Sequence, residues 1–576
     1  MAARPREIAH ARRDTLTDIM SPDPAIQVPR DSVRHPAKAR FRMRPAMVEL
    51  LCLVSLIGTL IPNLVWIARD HTPWPYDQAW YGEVSVNLWF NLTRSLSGWL
   101  RTMLAGIDMK PPGVVWLGQL FVPLGSVFGS IESALLFSVI VAQALTLYLV
   151  FRIGRAIAPD SYAAPVLGVV FASAGQIFVG LSHQFMVEPL QALAVAWTVF
   201  IVIRCREWSA PRIVLHVAGS LFLGLLAKAT TPLYCLLPFL YIGLVLIRKP
   251  LFQGWQDEWR NNSMRVLAFS VCVVGPLTAG WYAVNLKAAW RHVREASSGE
   301  IALQYGTRAS VPAKLVVWLK LLDRSFLSPY LGWAVAIAIL AGLAYRIARG
   351  GTRAIPSGGV FAVVLSALQC ALLLLVFSMN DAVDSRYMCA MYVFLATVVM
   401  WACAPITSRA VFLAAFAICA LQLITVHRIA LGAAGTASEQ GEWLGTPHED
   451  RSRYSQMERI VAMTSTKPGY NIVGVEEPWL NANTASFFAV KRSLDTGFRS
   501  YYTSLGYAEK NVATAVKRVE DFKIMFYITL EERSQTVPPN FINIVSLPML
   551  KHISEDPTFH PIPFASADGV LIFQHK

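Results

Sequence analysis

Long runs of apolar residues organise this chain. Twelve occur, near 46–68, 112–130, 132–151, 161–182, 189–204, 212–228, 231–248, 265–285, 326–347, 357–379, 387–404 and 408–427. Most have the length of a helix that crosses a bilayer, which takes about 20 apolar residues. A single soluble core cannot absorb so many such segments, so the chain reads as a polytopic membrane protein. Hydrophobic residues make up 55% of the 576 positions and charged ones only 15%, which excludes a disordered chain. The net charge of +14 would suggest a nucleic-acid partner in a soluble protein. Here Lys and Arg lie mostly in short stretches between the runs, where they orient the spans, and no nucleic acid is expected. The eight cysteines lie in or beside apolar runs and none follows residue 428. With no CxxC pair, neither a disulfide framework nor a structural zinc site is expected.

Loop charge sets the number of crossings. Four basic clusters separate the runs: Arg152 and Arg155; Arg204, Arg206 and Arg212; Arg248, Lys249, Arg260 and Arg265; and Arg346, Arg349 and Arg353. All four belong on the side of the basic stretch 1–45, read as a cytoplasmic tail rather than a cleavable signal, because the first run is too long for a signal. Twelve crossings would put the clusters on the wrong side. Removing one early run brings all four inside. The segment 112–130 is that run, since it opens with Pro111-Pro112-Gly113 and is broken by Gly125, Gly129 and Ser130. The expected fold is a polytopic α-helical membrane protein of about eleven spans (46–427) with a small C-terminal α/β periplasmic domain (428–576). The first outer loop covers 69–112. Further outer segments are 182–189, 286–325 and 380–386.

Within the first outer loop, Asn87, Asn91, Arg94, Gly98 and Arg101 recur on one face of a helix, and Leu88, Leu92, Leu96, Trp99 and Met103 on the other. Such a helix lies in the headgroup plane or packs on the protein's own spans. In the tail, strand patterns at 470–475, 523–528, 541–546 and 569–573 alternate with helical ones near 479–490 and 508–520. No GxGxxG or Walker loop occurs, so nucleotide binding has no support.

The unusual charged residues gather in the outer segments. Asp77 sits among aromatics just beyond the first span, where a raised pKa would suit a general base; helix capping is the plainer role. Lys110, ahead of Pro111-Pro112, would stand at headgroup depth, where an ammonium suits a phosphate, or simply snorkel. Glu188 lies between two spans ahead of Pro189, a rare place for a carboxylate, although a helix-start acid is the plainer reading. Lys228 is its cationic counterpart. Arg386 can hold a phosphate bidentately or pair with Asp381 or Asp384. Together these residues suit an anionic lipid head group and a proton-transfer step.

The order of these motifs resembles the C-type (GT-C) membrane glycosyltransferases, with the protein O-mannosyltransferase and lipid A aminoarabinose transferase branch nearest. The family's Asp-Glu-x-x-Tyr motif is matched by Asp77-Gln78-Ala79-Trp80-Tyr81, with Glu83 also fitting. Its Lys-Pro-Pro motif is matched by Lys110-Pro111-Pro112, its Leu-Thr-Lys-like stretch by Leu226-Ala227-Lys228, and its late Arg-Tyr pair by Arg386-Tyr387. Glu188 stands where an Asp is commoner, and Gln78 replaces the second acid of the first motif.

The resemblance implies inverting transfer of a sugar from a polyprenyl-phosphate carrier to a hydroxyl on the periplasmic side of a bacterial inner membrane. Asp77 and Glu188 are the expected catalytic residues, with Asp77 as base. Lys110, Lys228 and Arg386 are expected to bind the donor phosphate, and Tyr81, Glu83, Asp108, His183 and Tyr387 to line the substrate site. No cofactor follows with certainty, and with Gln78 in place of an acid a divalent metal stays open. The expected partners are the polyprenyl-phosphate sugar lipid, a glycan, lipid or protein acceptor, and membrane lipids. Two competing readings are a lipid-linked sugar flippase or transporter and a non-catalytic subunit of an envelope assembly complex.

Overall fold

Residues 45–159, 161, 163–251, 253–348, 357–404, 409–432, 444–539 and 541–576 are described in a computed structural model. The basic stretch before Pro45, read as a cytoplasmic tail, lies outside them, as do Arg349 and Arg353 of the fourth basic cluster.

Among the described residues six helices are long and apolar enough to cross a membrane: Cys52–Arg69, Ile131–Ile157, Ala210–Ala227, Asn262–Gln304, Gly359–Met379 and Val411–Ala430. Two bent pairs raise the number to eight, Ala164–Ser173 with Gln176–His183 (62°) and Val311–Leu327 with Leu331–Gly342 (97°). Leu236–Ile247 and Met391–Cys403 are apolar but shorter. Along these helices Leu53, Val54, Leu240, Leu244, Ile247, Val266 and Phe269 are all more than half exposed. Water would not tolerate so broad an apolar belt, whereas hydrocarbon covers it at no cost. The chain is an integral membrane protein.

Breaks in apolar helices free backbone groups that lipid cannot satisfy. Glutamines satisfy them here. Gln176 and Gln422 both donate to the carbonyl of Ser328, at 2.7 and 2.6 Å, beside the second bend. Gln422 also accepts from the backbone of Tyr330 at 2.8 Å. Gln369 bridges the gap before Leu236–Ile247, donating to the carbonyl of Leu233 (2.9 Å) and accepting from the amide of Leu237 (3.0 Å). The run 112–130 forms only short pieces, Gly113–Gly118, Val122–Leu124 and Gly125–Phe128. None is long enough to cross.

The single helix expected over 87–103 is two, Tyr76–Leu92 and Leu96–Ala105. Local hydrogen bonds break it. The hydroxyl of Thr93 bonds back to the carbonyl of Phe90 at 3.0 Å, and the Ser95 hydroxyl caps the next helix by accepting from the Gly98 amide at 3.1 Å. The two helices fold back on each other, with Asn91 donating to the Thr102 hydroxyl at 2.9 Å. Leu88 and Met103 are buried, while Leu96 is exposed.

The C-terminal part carries a five-stranded sheet in the order β2-β1-β3-β5-β4. The strands are β1 Gly469–Val473, β2 Ser500–Ser504, β3 Phe526–Leu530, β4 Phe559–Ile562 and β5 Val570–His575. β1 is parallel to both β2 and β3, and β5 is antiparallel to β3 and β4. The strand expected over 541–546 does not form: Asn543 adopts φ 66° and a helix starts at Ser546. β2 and β4 are additions to the expected set. β2 (SYYTS) lacks an apolar run, and β4 contains Pro561, which suits an edge position.

Helix Ala482–Thr496 of this part lies along Tyr76–Leu92. Trp74 is stacked on both Phe185 and Phe487, with ring centroids 5.7 and 5.1 Å away. Gly82 permits the close approach, since a Cβ there would stand 2.8 Å from the Phe487 ring. Arg499 pairs with Glu83 across this seam, and Lys491 with Glu132. Lys491 also donates to the Tyr454 hydroxyl at 2.8 Å, which in turn donates to Glu132 at 3.0 Å.

Candidate active site

Short helix starts and turns set the charged groups. Asp77 is the second residue of Tyr76–Leu92, and Pro75 rather than Asp77 holds the cap position. Its carboxylate instead accepts from Lys110 Nζ at 2.6 Å. Lys110 enters from the turn ahead of Pro111 and Pro112, and its ammonium lies 5.6 and 5.8 Å from the ring centroids of Trp80 and Tyr81. Gly113 lets that turn press on the end of Ala210–Ala227, where a Cβ would meet the Leu226 carbonyl at 2.6 Å. Lys228 is the extended residue that ends that helix.

Glu188 opens helix Glu188–Arg204, with Pro189 in its first turn, as the plainer sequence reading also expects. Its Oε1 accepts from Lys228 Nζ at 3.0 Å and lies 3.7 Å from Arg386 Nε. Its Oε2 is buried and has no hydrogen-bond donor among the described residues. Arg386 pairs at 2.7 Å with Asp384, whose other oxygen accepts from the Arg386 amide at 3.0 Å. Asp381 is taken by Lys314 instead, at 2.9 Å. Tyr387 completes the cluster: the Lys228 ammonium stands 4.3 Å from its ring centroid, and its carbonyl accepts from the Tyr234 hydroxyl at 2.9 Å. The structure therefore brings together Asp77, Tyr81, Lys110, Glu188, Lys228, Arg386 and Tyr387.

Electrostatics differ from the sequence expectation at one point. Burial pushes the Asp77 carboxyl up, but Lys110, with Arg386 and His292 behind it, more than offsets this, and the pKa falls below the ordinary carboxylate range. The raised value expected for a base is absent while Lys110 is in place. Burial and the charges of Asp77 and Glu188 hold the Tyr81 phenol well above its ordinary value, so it stays protonated.

Three expected substrate residues stand apart. Glu83 faces Arg499 across the seam. His183 is buried against the first span, its ring stacked on Trp66 at 4.1 Å and its Nε2 3.3 Å from Asn63 Oδ1. Asp108 is exposed, and its charge is felt by His292. Asp384 and His292 were not singled out in sequence as site residues. Asp384 is two residues from Arg386, but His292 comes from a distant helix and carries no local signal. Among the described residues no three His, Cys, Asp or Glu side chains gather as a metal would need. The carboxylates face ammonium and guanidinium groups instead, so the site does not fit a divalent ion.

No family model and no curated protein matches the chain. Among solved structures it is similar to ArnT from Cupriavidus metallidurans bound to undecaprenyl phosphate, with a TM-score of 0.54 and 14% identity over 92% of this chain and 98% of that one. The apo state of the same protein gives a TM-score of 0.53 and 13% identity, over 92% and 97%. The arabinofuranosyltransferase AftD from Mycobacteria is 12% identical over 93% of this chain and 40% of its own, at a TM-score of 0.48. The likeness to ArnT is one of fold, and the fold is that expected from the sequence resemblance: a GT-C-like membrane architecture.

Proposed function

We propose that the chain transfers a sugar from a polyprenyl-phosphate donor to an acceptor hydroxyl on the periplasmic side of the membrane, with inversion. The observation that carries this reading is the convergence of three cations, Lys110, Lys228 and Arg386, on two carboxylates, Asp77 and Glu188. The fold likeness to a protein bound to undecaprenyl phosphate supports the donor class. The topology that serves it has eleven crossings: the six long helices, the two bent pairs, Leu236–Ile247, Met391–Cys403 and Glu188–Arg204. The membrane part then covers 46–427 and the periplasmic part 428–576, with the N-terminus cytoplasmic.

The chemistry follows from the pairings. A lipid phosphate entering the cluster competes with Asp77 for Lys110. Once Lys110 turns to the phosphate, Asp77 loses the charge that depresses its pKa and becomes the stronger base. It takes the acceptor hydroxyl's proton as the acceptor oxygen forms its bond to C1 of the sugar. The C1–O bond to phosphate breaks on the opposite face, and the electron pair leaves with the polyprenyl phosphate. Lys228 and Arg386 hold the charge that develops there, usually the largest catalytic term. Glu188 keeps these two cations in place, and its unpaired Oε2 is positioned to accept from a donor hydroxyl.

The test is turnover by the purified protein in nanodiscs with polyprenyl-phosphate sugars and a crude envelope acceptor fraction. Free polyprenyl phosphate should appear with wild type and not with Asp77→Asn. Lipid crossing the bilayer without cleavage would establish the flippase reading instead.

A further inference from the structure

The segment 248–265 joins two apolar helices, Leu236–Ile247 and Asn262–Gln304, and both turn apolar side chains outward beside the joint. Leu244 and Ile247 on one side of it, and Val266 and Phe269 on the other, are more than half exposed. The joint itself adds to this surface. Gly254, at φ 87°, turns the chain into the short helix Trp255–Arg260. Trp255 and Trp259 stand four residues apart on one face of that helix and are 37 and 57% exposed. The Trp255 indole donates to the carbonyl of Leu251 at 3.1 Å, and Leu251 is itself about half exposed.

Cations surround the two indoles. Arg248, Arg260 and Arg265 are exposed, and the Arg265 guanidinium donates to the carbonyl of Trp259. Lys249 fixes the joint to the neighbouring loop by donating to the carbonyls of Arg206 and Trp208, at 3.0 and 2.6 Å. Of the two acids in the segment, Glu258 is engaged with the Ser209 hydroxyl at 2.7 Å. Asp257 lies 3.8 Å from Arg260, both more than four-fifths exposed, and such a pair in water holds neither partner firmly.

We propose that this joint is a membrane-surface site, in which Trp255 and Trp259 enter the acyl boundary of the adjoining leaflet and Arg248, Arg260 and Arg265 hold the phosphates of anionic phospholipids. Indole rings favour that depth, and cations at the end of a span are drawn to anionic head groups. The flanking helices decide for lipid over a soluble partner, since the patch lies between two apolar faces that hydrocarbon covers. The site stands apart from the proposed sugar transfer, because none of these residues belongs to the cluster around Asp77 and Glu188.

The test is amide hydrogen exchange, read by mass spectrometry on full-length protein in nanodiscs of phosphatidylcholine, alone or mixed with phosphatidylglycerol. In wild type the amides of Trp255–Arg260 should exchange about tenfold more slowly in the anionic discs, the pull of one or two surface cations, and high salt should shrink that lag. Arg248→Gln with Arg260→Gln should remove most of the lag, and Trp255→Ser with Trp259→Ser should speed exchange in both kinds of disc. Unchanged exchange in Asn262–Gln304 and in strands β1 and β3 shows that the variants are folded; the single substitutions Arg260→Gln and Trp259→Ser serve where a double one is not. Equal exchange of wild type in the two kinds of disc, a lag that survives the arginine substitutions, or exchange unmoved by the tryptophan substitutions overturns the proposal. Protection that appears only with two copies in one disc assigns the patch to self-association and overturns it as well.

Discussion

Two sets of ion pairs do different work. Along the seam with the C-terminal part, Glu83 of Tyr76–Leu92 faces Arg499, and Glu132 of Ile131–Ile157 is shared by Lys491 and Tyr454. In the cluster, Lys110 is held by a single carboxylate oxygen, Glu188 keeps one oxygen unpaired, as Glu132 does, and Asp77 keeps a third of its side chain exposed, more than either seam carboxylate. The seam is built from groups that point at each other across two packed elements. The cluster is built from groups that converge from separate turns and helix ends. A pair that only holds a fold together can be closed off from its surroundings, whereas a pair that must exchange partners with a ligand has to stay within the ligand's reach. Neighbouring residues repeat the contrast: Glu477 accepts from the amides of Thr536 and Val537 at 2.7 and 2.8 Å, while the Glu476 carboxyl has no donor among the described residues.

Four substitutions test that contrast. Asp77→Asn should lower transfer about 10²–10⁴-fold, the share of a positioned base, with little change in thermal midpoint; single-turnover release of polyprenyl phosphate measures it. Arg386→Met or Lys228→Met should cost about 10²–10³-fold in kcat, as removal of a charge that stabilises a leaving group does. Arg499→Met should do the opposite. It leaves Glu83 buried without its partner and destabilises the fold by about 3 kcal/mol, seen as a lower midpoint in detergent, while turnover per folded molecule is kept. A turnover loss as large as that of Asp77→Asn would erase the distinction between seam and cluster.

The smallest effect is on pH. The folded pKa of Glu476 lies near 7, above its ordinary 4.5, because burial penalises the charged form. The folded state therefore holds the proton more tightly, and this contribution to stability is lost as pH rises from about 4.5 through 7. Glu476→Gln should be more thermostable than wild type above pH 7, with the gap closing towards pH 4.5. A gap independent of pH would show that the carboxyl ionises freely.

Much of the architecture was legible in the residues because it follows from local rules. Apolar runs mark the helices that need lipid, and the prolines and glycines of 111–130 stop that run from forming one long helix. Asp77, Lys110, Glu188, Lys228 and Arg386 stood out because ionised side chains at the ends of apolar runs are costly and therefore few. Other features depended on short-range competition that periodicity does not register. The hydroxyls of Thr93 and Ser95 split a helix whose apolar stripe ran straight through them. Asn543 turned a strand-like stretch into a bend by bonding to Glu476.

By itself, then, the sequence determined that the chain is helical, lives in a membrane and carries a small α/β part, since hydrophobicity and backbone chemistry act along the chain. Only the tertiary structure decided which charges meet. It turned Glu83 to Arg499 and His183 to Trp66, and it set Lys110 on Asp77. The reason is physical: Coulomb attraction and desolvation depend on distance through space, and residues as far apart in sequence as Glu188 and Arg386 become neighbours only after the helices have packed.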